Sequence, residues 1–182
     1  MREKFFAITN SLLKPRETFR QIQNPPYADL SLAVLVTLSI VTAVNRVQQM
    51  QAKINMLNVF LMIIASIVSV VVGTILYAAL LDFTANLFDK KSKSSNKIRL
   101  ALPFALIPFI IGGLILIFPM GKESMQVINI ACSIWSLVLM TLLISEIRKF
   151  SIVKSIVTIV VASLIVTAPL MVIYGIMNAA RH

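Results

Sequence analysis

Histidine and cysteine are almost absent from this 182-residue chain: His182 is the only histidine and Cys132 the only cysteine. One cysteine closes no internal disulfide and builds no cysteine-based zinc site. A Ser-His-Asp triad would have a single histidine to draw on, at position 182, and neither H-E-x-x-H nor a Gly-rich phosphate loop occurs. No catalytic, cofactor-binding or metal-binding residue is therefore expected, and the chain reads as a protein that is not an enzyme. Charge is scarce too. Only 13% of residues are charged, where a soluble domain carries about 25%.

Apolar runs fill the gap, at 58% hydrophobic residues and a mean hydropathy of +0.91. Five stand out, at about 27–47, 57–81, 100–120, 125–144 and 152–177. Each approaches the ~20 residues that cross a bilayer as a helix. Helices are the reading because a spanning segment must satisfy its own backbone hydrogen bonds, and the alternation of a membrane β-strand is missing. The expected fold class is all-α, a polytopic membrane protein with a bundle of five transmembrane helices in one domain, 27–182. An amphipathic cytoplasmic segment, 1–26, precedes it. The first run is followed by "NRVQQMQAK" rather than a small-residue cleavage site, so it is expected to remain as a span and not be removed as a signal peptide.

The formal net charge is +10, and its placement is uneven. Five spans put Arg2, Lys4, Lys14, Arg16, Arg20, Lys90, Lys91, Lys93, Lys97, Arg99, Arg148, Lys149 and Lys154 on one side, against Arg46, Lys53, Lys122 and Arg181 on the other. Positive loops stay in the cytoplasm, which predicts an amino terminus inside and a carboxyl terminus outside. Basic residues that flank apolar runs suit a membrane better than nucleic acid, and no nucleic-acid partner is expected. Lys90, Lys91, Lys93, Lys97, Arg99, Arg16 and Arg20 are the candidates for binding anionic lipid or a membrane-protein partner, beyond their part in setting topology.

Phe5, Ile8, Leu12, Pro15, Phe19 and Ile22 recur every three or four residues and trace one helical face. Such a helix either lies in the headgroup layer or packs beneath the bundle. Pro15 is expected to divide it and to open its second piece. In the second span Ala65, Ser69 and Gly73 form a small-residue groove, for which an internal neighbour is expected over a second copy of the chain. In the third, Pro103, Pro108, Gly112 and Gly113 predict a kink made for packing. Asp29, Asp82 and Glu146 fall near the cytoplasmic ends of spans, where basic neighbours offer pairing; a carboxylate ring is the alternative.

Two stretches carry a resemblance. "LLKPRETFRQIQNPP", with Leu13, Pro15, Thr18, Phe19 and Ile22, is similar to the segment before the first span in bacterial members of the Yip family, small five-span membrane proteins named for interaction with Ypt/Rab GTPases. "PFALIP", from Pro103 to Pro108, resembles that family's Gly-Tyr-x-x-x-Pro region, with Pro103 in place of the glycine and Phe104 in place of the tyrosine. The resemblance implies a prokaryotic-type member in the cytoplasmic membrane, without catalytic residues or cofactors. It implies a scaffold or adaptor in membrane organisation or trafficking-like processes. The alternative is a small transporter or channel subunit acting as a homo-oligomer.

Overall fold

The computed structural model describes residues 10–22, 27–49, 55–89, 95–118 and 120–179. Lys90, Lys91, Lys93, Phe5 and Ile8 lie outside the described residues. Within them the chain is helical and contains no strand. Seven helices follow in order: α1 (Pro15–Ile22), α2 (Ala28–Gln49), α3 (Met56–Phe88), α4 (Ser95–Ala105), α5 (Ile107–Ile115), α6 (Lys122–Arg148) and α7 (Ile152–Ala179). Five stretches among them are long and apolar enough to cross a membrane, with α4 and α5 sharing one. The protein is an integral membrane protein.

Residues 10–13 are helical as well, and the chain bends at Lys14 before α1 opens on Pro15. A proline fits there because a first-turn N–H has no intrahelical partner to lose. Phe19 and Ile22 are fully buried, and α1 packs on α6 and α4. The apolar face of α1 is thus spent on the bundle.

α3 runs on to Phe88, beyond the span expected at 57–81. Nothing in "DFTANLF" stops a helix, since it holds no proline or glycine. At 33 residues the helix is about 50 Å long, against a hydrocarbon layer of about 30 Å. α6 similarly continues to Arg148, where Lys149 takes a left-handed conformation (φ 55°, ψ 35°) and turns the chain toward α7. Ser145 Oγ donates to the Phe150 carbonyl across that turn at 2.8 Å.

The third span is two helices, and Pro108 explains the break. A proline at that position has no N–H to offer, and its ring crowds the carbonyl four residues back. The bonding around it tightens: Leu106 N–H donates to Pro103 O and Phe109 N–H to Leu106 O, each at 3.0 Å. Phe109 would otherwise serve the Ala105 carbonyl. That carbonyl instead accepts from Ser136 Oγ of α6, buried, at 2.7 Å. Helix breaks inside a membrane persist where a neighbour restores the lost bond.

Gly112 and Gly113 do not bend the chain. Both lie within α5 and let it approach its neighbours. A Cβ on Gly112 would come to 2.5 Å from Cys132 Sγ of α6, and one on Gly113 would collide with Val41 Cγ1 of α2. The broken span is consequently the central one. Its most apolar window is 56% buried, against 11% for α3 and 22% for α7.

The core gathers toward one end of the bundle, around Leu81, Ile98, Leu102, Phe104, Leu139 and Leu143. We call this the basic end, because it carries Arg16 and Arg20 of α1, Lys97 and Arg99 at the start of α4 and the turn after α6. At the opposite, far end Leu57, Phe60, Leu61 and Val172 are exposed on the bundle surface.

The groove of Ala65, Ser69 and Gly73 faces outward, contrary to the internal neighbour expected for it. All three are exposed, and nothing lies within 4 Å of a Cβ built on Gly73. α3 turns a different face inward, that of Ser66, Thr74, Ala78, Leu81 and Ala85. Most hydroxyls on the spans bond their own helix four residues back, as Ser39 does to Leu35 O, Thr74 to Val70 O and Thr84 to Leu80 O. Other hydroxyl contacts tie spans together: Ser136 Oγ to the Ala105 carbonyl, and Tyr77 OH with Ser163 Oγ, 3.1 Å apart.

Candidate functional site

The charged side chains concentrate at the basic end, and three helices position them. α6 supplies Glu146 and Arg148 in its last turn, with Lys149 at its cap. α3 supplies Asp82, one residue past the buried Leu81, and α1 supplies Arg20.

Arg148 is fully buried at its side chain. It forms an ion pair with Asp82, and its Nη2 also donates to the Asp82 backbone carbonyl at 3.2 Å. A guanidinium withdrawn from solvent is tolerable only when a carboxylate and hydrogen-bond acceptors replace its water. Both sit on α3, so the pair locks the end of α6 to α3.

Glu146 makes the second connection. Its Oε1 accepts from Arg20 Nε at 2.8 Å and from Lys149 Nζ at 2.6 Å. This fastens α1 across the end of α6. The hydrogen bond to Glu146, and behind it the carboxylate's charge, raise the Arg20 guanidinium above its ordinary pKa. Arg20 therefore keeps its charge at any physiological pH.

These pairings sort the candidates. Arg20 is engaged with Glu146, whereas Arg16, Lys97 and Arg99 are exposed. Asp82 and Glu146 each face a cation of their own and Asp29 is exposed on α2. The structure does not gather the three carboxylates into a ring. Among the described residues no group of three or more His, Cys, Asp or Glu side chains could hold a metal ion.

The family model of the Yip1 domain matches residues 9–174. The chain belongs to the Yip1 domain family. No curated protein and no solved structure matches it. The matched stretch takes in α1 as well as the spans, in keeping with the burial of Phe19 and Ile22 against the bundle.

Sequence reasoning passed over two features of this Yip1 domain. One is the Ser136–Ala105 bond, which depends on where a broken helix leaves a carbonyl. The other is Asn45, whose Nδ2 donates to the Gly113 carbonyl at 3.2 Å. An amide closing an otherwise clean apolar run from Leu30 to Val44 was the available signal.

Proposed function

We propose that this protein is a non-enzymatic scaffold or adaptor of the bacterial cytoplasmic membrane, with its amino terminus in the cytoplasm and its carboxyl terminus outside. It acts in membrane organisation or trafficking-like processes by holding a membrane-protein partner or anionic lipid at its basic end. The observation that carries this reading is the division of labour among charges there. Asp82 and Glu146 are taken up by Arg148, Arg20 and Lys149, while Arg16, Lys97 and Arg99 face outward from a packed platform. Lys90, Lys91 and Lys93, in the stretch of sequence between α3 and α4, are further candidates. Basic side chains near an anionic surface each contribute about 1 kcal/mol before screening.

The second reading, a small transporter or channel subunit acting as a homo-oligomer, draws on the outward face of Ala65, Ser69 and Gly73, which another helix could approach closely. Native mass spectrometry of the protein extracted with its surrounding lipid separates the two. The adaptor reading expects a second protein at fixed ratio, lost in the Lys90→Gln/Lys91→Gln/Lys93→Gln variant with topology preserved. A homo-oligomer carrying only lipid or a small solute, and unchanged by that variant, overturns it in favour of the oligomer.

A further inference from the structure

An apolar groove of about 630 Å³ opens on the flank of the bundle, between the amino-terminal segment, α5 and α6. Leu12 and Leu13 form one wall, Pro108 and Ile111 a second, and Ala131 and Trp135 the third. The groove is turned outward, toward lipid: Leu13, Ile111 and Trp135 are 75%, 41% and 46% exposed.

These walls also fix how the amino-terminal segment lies. Arg20 Nε meets Glu146 near the end of α6. Trp135 stands about 16 Å back along α6 from Glu146, and Leu12 and Leu13 share the groove with it. From Arg20 to Leu12 the segment therefore descends beside α6, from the basic end toward the middle of the bilayer. Arg16 is on that descent, one helical turn above Leu12 and Leu13, and it is exposed. The neighbouring carboxylate, Glu17, faces Lys14 at 4.0 Å. A cation thus stands directly over an apolar groove, which is the order of phosphate and acyl chain in a phospholipid entering from the basic end.

We propose that the groove seats one acyl chain of an anionic phospholipid from the leaflet at the basic end, with the lipid phosphate against Arg16. The chain fills the space between Leu13, Ile111 and Trp135, beside the break that Pro108 makes in the third span. Net negative charge is what Arg16 selects, so phosphatidylglycerol is favoured over zwitterionic phosphatidylcholine. This rests on the proposed binding of anionic lipid at the basic end and gives that lipid a defined seat.

Trp135 is the only tryptophan and forms part of the wall, so the unaltered chain carries its own probe. The full-length protein is reconstituted into phosphatidylcholine vesicles containing a rising fraction of either phosphatidylglycerol or phosphatidylcholine with brominated acyl chains, and quenching of Trp135 is followed. Brominated phosphatidylglycerol is expected to reach half-maximal quenching at an about fivefold lower mole fraction, the preference that one basic residue gives an anionic lipid. Arg16→Gln is expected to bring the two lipids together. Arg46→Gln, which removes one cation at the far end, is expected to keep them apart. Should either variant misfold, the lipid comparison on the unaltered chain still decides. Equal quenching by the two lipids overturns the site and leaves ordinary contact with the bilayer. A preference that persists in Arg16→Gln overturns the pairing with Arg16. Quenching by neither lipid means that protein, such as a second copy of the chain, covers Trp135, and it overturns the site as well. The adaptor reading fails separately, when no second protein is retained.

Discussion

The two ends of this bundle are made of similarly apolar helices and yet differ in how they are held. At the basic end, Leu81, Ile98, Phe104, Leu139, Leu143 and Ile144 are fully buried, and the Asp82–Arg148 and Arg20–Glu146–Lys149 pairs close over them. α3 and α7 expose apolar side chains along their length, and at the far end a cavity lies beside Asn45. In a bilayer an exposed leucine costs little, because lipid is as apolar as a neighbouring side chain. What distinguishes the ends is contact between shapes and the satisfaction of polar groups. The basic end is closed by paired charges, and the far end leaves a cavity between its helices.

This contrast is open to direct test through unfolding in micelles. The largest effect is expected from Arg148→Met, at a loss of about 4 kcal/mol, because it strips Asp82 of its buried cation. The double variant Asp82→Leu/Arg148→Met should recover most of that loss. If the single variant costs no more than a surface substitution, the ion pair does not hold the basic end together.

Phe104→Ala, at a fully buried position, should cost about 3 kcal/mol. Leu164→Ala, on the exposed surface of α7, should leave the midpoint nearly unchanged. Equal losses at the two would erase the distinction between enclosed and outward-facing positions. A finer comparison uses two glycines. Gly113→Ala drives a methyl into Val41 of α2 and should cost about 2 kcal/mol. Gly73→Ala meets nothing within 4 Å and should be neutral or slightly stabilising. The smallest effect is assigned to Arg20→Gln, a shift in midpoint close to none, since its pair with Glu146 lies at the exposed edge of α1. Limited proteolysis near Lys14 should still report loosening of α1 in that variant.

Much of this architecture was legible from the chain alone, but unevenly. Pro15 marked the start of α1 because proline suits a helix start and little else inside a helix. Leu12, Phe19 and Ile22 showed which face of that segment was apolar. The periodicity did not reveal that Phe19 and Ile22 would be fully enclosed by the bundle. Asp82 illustrates a boundary misread: it was placed at the end of a span, but α3 continues to Phe88. A charge marks the edge of an apolar run, whereas a helix ends where backbone bonding ends. The groove at Ala65, Ser69 and Gly73 was visible as a pattern and its partner was not. Any residue on a uniformly apolar helix can face inward, so only neighbours decide the rotation.

What the sequence determined by itself was everything that depends on local transfer energies. It set five apolar segments that prefer lipid, the scarcity of catalytic side chains, and the asymmetry of basic residues between the two sides. Tertiary structure decided which carboxylate met which cation, which face of α3 turned inward and where the Ala105 carbonyl found its donor. It also decided that the Asn45 oxygen would be buried beside a cavity. Those outcomes depend on the rotation and separation of helices distant in the chain, and membrane helices with apolar surfaces all round encode that only through their packing.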